Sequence, residues 1–368
     1  MPGRPIAVIG LGATGSAALY QLARRGVHAI GIEQFELGHD RGSSHGPTRI
    51  IRPAHFENPA YGPLMRRAYT LWRELEKLAN RKFLHLSGLI EIGSAAGTIV
   101  SGSLAAASDL PHELLNAETA MRRHPVFKLP KHFVAVWQPD GGFIEAGIAM
   151  AAYIHCATAA GATIRNAEKV LKIAPNRDGV RIKTDRDVIE ADAAIVAAGP
   201  WLRSLMPELN LPLRVTRQVV GWFEPATLDP VPAFILESEY GVHYGLPAYR
   251  RMGIKIAKHH HRDEAVTPEN YDMTVSAIDE AAIRAPLAEY LPGAIGALRD
   301  AQTCLYTMTP DETFVLDRMP GFARVVIASP CSGHGFKFSP AIGEITADLA
   351  TRGVTGHDIA RFRLQRFG

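Results

Sequence analysis

The residue spacing that most constrains chemistry lies near the N-terminus: Gly10-x-Gly12-x-x-Gly15, with Glu33 further along. The first glycine permits a tight turn, the second lets a pyrophosphate approach the backbone, and the third lets a helix pack closely on a strand. The amides at that helix N-terminus then face the phosphates. Glu33 falls about twenty residues on, where a carboxylate accepts hydrogen bonds from ribose hydroxyls; an acid there argues against a ribose 2′-phosphate and so against NADP. The motif alone leaves NAD and FAD open. The three cysteines, Cys156, Cys304 and Cys331, form no CxxC pair and no zinc spacing, so neither a disulfide framework nor a structural metal is expected. Adjacent histidines on a strand point to opposite faces, so His259-His260-His261, with no carboxylate or cysteine cluster beside it, reads as a solvated loop.

The surrounding elements place the glycines where a dinucleotide site needs them. Pro5–Gly10 is a continuous apolar run, as in a strand buried on both faces. Ser16–Arg25 has helical periodicity, Gly26 stands at a C-cap position, and His28–Glu33 makes a second strand, completing a βαβ unit. Further helices are expected over 58–80, 144–160 and 340–351, and further buried strands over 191–198 and 325–328. Short antiparallel strands are expected over 163–166, 170–173 and 180–184. A strand over 84–92 and others over 216–224, 243–246 and 252–258 complete the pattern. Parallel-type strands at both ends and once in the middle, with antiparallel ones between, predict an α/β fold (α+β overall). Its Rossmann-like domain is discontinuous and carries an inserted, mostly antiparallel β-sheet domain.

Composition narrows the function classes. The chain has 368 residues, 47% hydrophobic and 21% charged, with a net charge of +3 spread along its length. Nothing forms the dense basic stripe of a nucleic-acid binder, and no segment approaches the ~20 apolar residues of a membrane span. The N-terminal apolar run is short and broken by glycine, unlike a signal peptide, so a reducing cytoplasm is the expected location.

Several segments then carry a more specific likeness. Gly42-Ser43-Ser44-His45-Gly46-Pro47-Thr48-Arg49-Ile50-Ile51-Arg52 resembles a segment of the monomeric sarcosine oxidase and N-methyltryptophan oxidase family. So do Gly253–His259, Thr303-Cys304-Leu305-Tyr306-Thr307 running on to Glu312, Ser332–Ser339, and the closing Phe362–Phe367. The resemblance runs the length of the chain and implies FAD, held by a domain of residues 1–82, 141–212 and 307–368. Residues 83–140 and 213–306 would form the substrate domain.

The resemblance also implies roles. Cys304 would carry the flavin through sulfur at its 8α carbon. Lys255 would lie near flavin N5 and promote reaction of the reduced flavin with oxygen, as a fixed cation beside developing superoxide. Arg49 would favour the anionic reduced ring. Arg52 and Lys337 would hold a substrate carboxylate, Arg as a planar fork and Lys as a point charge. Tyr244, Tyr306 and His259 would line the cavity and favour the neutral amine. Gly10, Gly12, Gly15, Glu33, Ser43, Thr48, Val170, Gly199, Trp201, Gly333, Gly335 and Phe336 would complete the cofactor site. His55 and Leu246 would contact substrate and, with Pro53, Ile235 and Pro330-Cys331, depart from the family's pattern at the pocket, leaving the substrate open.

The implied reaction is oxidation of a secondary, N-methyl amino acid by O2. The imine hydrolyses to amino acid and aldehyde (formaldehyde for N-methyl), with H2O2 as co-product. The enzyme is expected to be a monomer whose partners are a small amino acid and O2. Alternatives are a flavin dehydrogenase, an oxidase of a cyclic secondary amino acid such as pipecolate and, more remotely, an NAD-dependent dehydrogenase.

Overall fold

A computed structural model describes residues 3–368. The apolar run near the N-terminus forms the strand Ile6–Ile9, every residue of it buried, followed by the helix Ala13–Ala23 and the strand Ala29–Ile32. Ile6–Ile9 lies inside a six-stranded sheet, between Ala193–Val196 and Ala29–Ile32, both parallel to it. Phe322–Ser329 extends the sheet in parallel on one side and Thr163–Arg165 on the other; only the edge strand Val315–Met319 runs antiparallel. One face is covered by the helices Ala13–Ala23, Gly62–Ala79, Ala146–Ala159 and Ser339–Arg352, which share one apolar core with it. The other face is covered by the antiparallel strands Val170–Asn176, Gly179–Thr184 and Val188–Ala191.

A second sheet of eight strands runs in the spatial order Ile295–Met308, Arg214–Pro225, Ile254–Lys258, Gly241–Leu246, Ala233–Ser238, Leu89–Ser94, Phe133–Gln138 and Glu113–Asn116. All its pairings are antiparallel except Ala233–Ser238 with Leu89–Ser94. A small sheet of Thr48–Ile51, Gly142–Glu145 and Leu84–His85 completes the strand framework. The fold is thus the mixed α/β arrangement expected, a mainly parallel nucleotide-type sheet and a mainly antiparallel one. Among the described residues no helix is long and apolar enough to cross a membrane.

Several expectations need correction. The strand expected over 84–92 is two strands in different sheets, because Gly88 turns the chain at φ +78° between them. Thr163–Arg165 is a parallel edge strand, not antiparallel. The helix expected from 144 starts at Ala146, its first residues belonging to Gly142–Glu145. The longest strand among the described residues, Ile295–Met308, carries no strand signal in the sequence, because residues 295–302 are partly or wholly exposed and burial begins only at Thr303.

Gly15 is fixed by contact. A Cβ there would stand 1.7 Å from the Gly10 carbonyl oxygen, so the helix can cross the first strand this closely only at glycine. Gly15→Ala must push the helix off the sheet at a cost of about 3 kcal/mol. Thermal unfolding should show a lower midpoint, and the purified protein should carry less bound nucleotide. A variant with the parent's midpoint and full cofactor content would refute this account of the contact.

Candidate active site

A cleft of about 510 Å³ runs from the glycine loop to the eight-stranded sheet. At its nucleotide end lie Gly10, Gly12, Glu33, Ser43, Val170, Gly199 and Trp201. The N-cap of the helix Ala13–Ala23 is Gly12, which offers no capping side chain; the Ala13 amide reaches the Ser44 hydroxyl at 3.0 Å. The helix thus presents its N-terminus to the cleft. The buried Glu33 carboxylate accepts from the amides of Leu11 (2.8 Å) and Phe35 (3.2 Å), with His39 at 3.5 Å. Burial would raise its pKa, but His39 and the Leu11 amide outweigh burial and keep it below the usual carboxylate range. An ionised acid at the end of the second strand, beside a helix end without a side-chain cap, fits a dinucleotide.

The middle of the cleft is built from the central strands of the eight-stranded sheet. Cys304, on Ile295–Met308, pairs with Gln218 and is buried. Burial pushes its thiol up, while Arg49 and then Lys255 pull it back. Lys255 sits opposite Trp222 on one neighbouring strand and Leu246 on the other. Its ammonium donates to the Thr48 carbonyl at 2.8 Å and stands 5.9 Å from the Trp222 ring centre. Burial, then the like charge of Arg49, hold the Lys255 pKa well below its ordinary value. Arg49 donates to the carbonyls of Thr48 and Ser43, each at 3.0 Å, and to that of His45, with its guanidinium near the Phe336 ring.

Tyr306 and His259 meet at 3.5 Å between the phenol oxygen and Nδ1. Burial lowers His259 to about 3 and raises Tyr244 to about 12, so the imidazole stays neutral and the phenol protonated at ordinary pH. Tyr306 is likewise raised by burial. Gly333 adopts φ +80° against Tyr306, where a Cβ would come within 2.4 Å of the ring; no other residue fits that turn.

At the far end Arg52 is almost wholly buried. One terminal nitrogen, Nη2, donates to both oxygens of Glu57 at 2.8 and 2.6 Å; the other, Nη1, donates to the Ala54 carbonyl at 3.0 Å and stands 3.4 Å from Glu91. The Phe56 ring stacks 4.0 Å from the guanidinium carbon. Burial would raise the Glu57 carboxyl, but Arg52 and then His55 hold it well below its ordinary range. Lys337 donates to the His334 carbonyl at 2.8 Å, and burial, with Arg52 adding, pushes it down to about 7. His55, Glu57 and His334 bring ligand-type atoms within 4.8 Å of one another. The charge that a metal ion would supply to Glu57 is already supplied there by Arg52.

The structure brings most of the expected residues to this one cleft: Arg49, Arg52, Tyr244, Lys255, His259, Cys304, Tyr306, Gly333, Gly335, Phe336 and Lys337 all line it. Four others stand behind it. Gly15 and Thr48 act through contact and through a carbonyl. His55 packs under Glu57, and Leu246 belongs to a cluster with Leu89, Phe143 and Ala233, so neither lines the cleft as expected. The three histidines form a turn in which His259 faces the cleft and His261 is buried against Asp279 at 2.9 Å; the solvated loop is a misreading. The sequence reading missed Glu57, Glu91 and Gln138. Two carboxylates and an amide spread over distant segments give no local signal. His45, part of the Gly42–Arg52 segment, also lines the cleft with both ring nitrogens buried and unpartnered.

A helix end with glycine at its N-cap, opening on a desolvated group of cations, phenols and a thiol, points to a class: a dinucleotide-dependent oxidoreductase. Residues 5–349 match the family described as FAD dependent oxidoreductase, and the chain belongs to that family. This removes the NAD-dependent alternative. The chain is 38% identical to the monomeric sarcosine oxidase of Streptomyces avermitilis, over 99% of this chain and 98% of that one. It is 34% identical to the N-methyl-L-tryptophan oxidase of Salmonella dublin, over 98% of each. Among solved structures, NikD, an unusual amino acid oxidase essential for nikkomycin biosynthesis, superposes with a TM-score of 0.86 at 26% identity, covering 97% of this chain and 96% of that one.

The lowered pKa of Lys337 would give an anion bound beside it a pH dependence with a definite sign. The protonated amine is the form that attracts an anion, and its fraction falls as pH rises through about 7. The affinity of the holoenzyme for a small carboxylate such as methoxyacetate, followed by flavin absorbance, should be level below that value and fall up to about tenfold per pH unit above it. Lys337→Met should flatten the profile. A flat profile in the parent protein would count against the lowered pKa.

Proposed function

We propose that this protein is an FAD-dependent amine oxidase that removes two electrons from the C–N bond of a small secondary, N-methyl amino acid and passes them to O2. The carrying observation is Lys255, a buried ammonium bonded to a carbonyl, beside the Cys304 thiol and Arg49, with Arg52 and Lys337 in the same cleft. The two relatives named for sarcosine and N-methyl-L-tryptophan oxidation support the substrate class. Bound FAD supplies the two-electron acceptor for the carbon beside nitrogen and the carrier from which O2 is reduced to H2O2. The imine so formed adds water and separates into amine and aldehyde.

The chain's own residues do the rest. Gly10, Gly12, Glu33, Ser43, Val170, Gly199 and Trp201 hold the dinucleotide, and Cys304 anchors the ring through its sulfur. Arg52 takes the substrate carboxylate on Nη2, displacing Glu57, and Lys337 adds a second positive charge. Neutral His259 and the protonated phenols of Tyr244 and Tyr306 surround the amine with groups that do not charge at neutral pH. The substrate nitrogen is therefore favoured in its own neutral form, the one whose lone pair assists loss of hydrogen from carbon. Lys255 places a desolvated positive charge where negative charge develops as O2 is reduced; such preorganised groups carry large catalytic effects in dry sites.

Two measurements test the reading. In Lys255→Met the reduced enzyme should react with O2 about a hundredfold more slowly or worse, while anaerobic reduction by substrate changes much less. Equal slowing of both half-reactions would remove Lys255 from the oxygen step. After denaturation the parent chain should keep its flavin absorbance and fluorescence on a gel, and Cys304→Ala should lose them. A parent chain that releases free FAD on unfolding would refute the thioether and leave the oxidase reading standing.

A further inference from the structure

Behind Arg52, away from the cleft, lies a group for which the proposed reaction has no use. Glu91 is fully buried on the strand Leu89–Ser94 and does not line the cleft, whereas Arg52, Phe56 and Glu57 do. One of its oxygens accepts from the Gln138 amide at 2.6 Å; the other faces Arg52 Nη1 at 3.4 Å, and the buried Ser103 hydroxyl also lies beside the carboxyl. Gln138 in turn accepts from the Ala54 amide at 2.9 Å, and the Ala54 carbonyl accepts from the same Arg52 nitrogen at 3.0 Å. Arg52, Glu91, Gln138 and Ala54 therefore form a closed ring of contacts on the dry side of the guanidinium. Glu57 alone occupies its cleft side.

Burying a carboxylate without water is costly, and a chain seldom leaves one in place unless a cation compensates it. Burial raises the Glu91 pKa, while Arg52 and then the hydrogen bonds from Ser103 and Gln138 pull it back. With Glu91 ionised, the single positive charge of Arg52 faces two carboxylates and leaves no surplus for an incoming anion. A ligand carboxylate can exchange with Glu57, which stands at the cleft. It cannot reach Glu91. We propose that Glu91 is the fixed counter-charge and positioning residue of the carboxylate-binding arginine: it tethers Nη1, leaves Nη2 as the one exchangeable arm, and weakens the site for every anion. This inference rests on the reading of Arg52 as the substrate-carboxylate receptor.

The test uses the FAD-loaded enzyme at pH 8 and a pair of unreactive probes. Methoxyacetate copies N-methylglycine with oxygen in place of nitrogen, and methoxyacetamide is its uncharged counterpart. Binding is followed by the change in flavin absorbance and by inhibition of turnover. Removing a negative charge behind the receptor should tighten methoxyacetate about tenfold in Glu91→Gln, with methoxyacetamide unchanged. Glu91→Leu, which keeps the side-chain bulk without the charge, should do the same, and Glu91→Asp should restore the parent's affinity. A merely structural residue would lower both affinities together or change neither. Methoxyacetate unchanged or weakened in both neutral variants, while Arg52→Gln still abolishes its binding, would overturn the role of Glu91 and leave the carboxylate receptor intact. If Arg52→Gln binds methoxyacetate as the parent does, the receptor reading fails and this proposal with it.

Discussion

A single hydrogen bond across 207 residues of chain, from the Lys255 amine to the Thr48 carbonyl, ties the eight-stranded sheet to the small sheet beside the cleft. A buried lysine must either lose its proton or find an acceptor, and among the described residues Lys255 forms no salt bridge. It reaches a backbone carbonyl on the small sheet Thr48–Ile51, whose preceding loop carries Ser43, Ser44 and His45 toward the nucleotide end. The antiparallel sheet is thereby pinned against the loop that follows the βαβ unit. Arg49 converges on the same carbonyl from its own strand, so two cations share one oxygen and both face Cys304. Arg49 supplies the lasting positive charge at the centre of the cleft, and Lys255, whose pKa burial lowers, adds to it in its protonated form.

That positive charge is surrounded by groups which do not answer it with charge of their own. His45, His259 and His334 are all lowered by burial, to about 4, 3 and 4, and remain neutral. The cysteine thiol and the two phenols are raised by the same desolvation. One physical cause therefore acts on the histidines and on the acidic groups in opposite directions on the pKa scale. Its result is uniform: the neutral form of each group is favoured. Arg cannot follow, because its guanidinium does not give up its proton in proteins, and so Arg52 is the point at which the site must supply carboxylates.

The sequence showed clearly what depends on local geometry. The strand–glycine–helix unit, Glu33 at the end of the second strand, the buried strand Ala193–Val196 and the buried part of Phe322–Ser329, from Val325 on, are all continuous patterns of a few residues, which periodicity reads well. Motif segments likewise brought Arg49, Arg52, Lys255, Cys304 and Lys337 into one hypothesis. The carboxylate partners of Arg52 were illegible, since Glu57 lies in a loop and Glu91 alternates with apolar residues on its strand as any surface residue would. Only the pairing of Leu89–Ser94 with Phe133–Gln138, and the packing of both against the loop after Ile51, turns that glutamate inward beside an arginine. Leu246 failed for another reason: it pairs with Lys255 and shares its face of the sheet, but it is taken up by the apolar cluster with Leu89, Phe143 and Ala233 and does not line the cleft.

On the proposed reading, the two ends of the cleft solve the same problem, recognition of an anion, by different means. At the nucleotide end the donors are helix amides fixed by covalent geometry, and a glycine contact sets their position, so the phosphate site is in place before any ligand arrives. At the other end an unpaired buried arginine would be costly, and on that reading Glu57 holds the place that a ligand carboxylate takes. Binding there is an exchange of one carboxylate for another, and its free energy is a small difference between two strong interactions. Such a site binds a small carboxylate weakly by itself. What the substrate carries beyond its carboxylate must then contribute most of the discrimination, and that part meets Ile235, Val242, Tyr244 and His259 on the cleft wall.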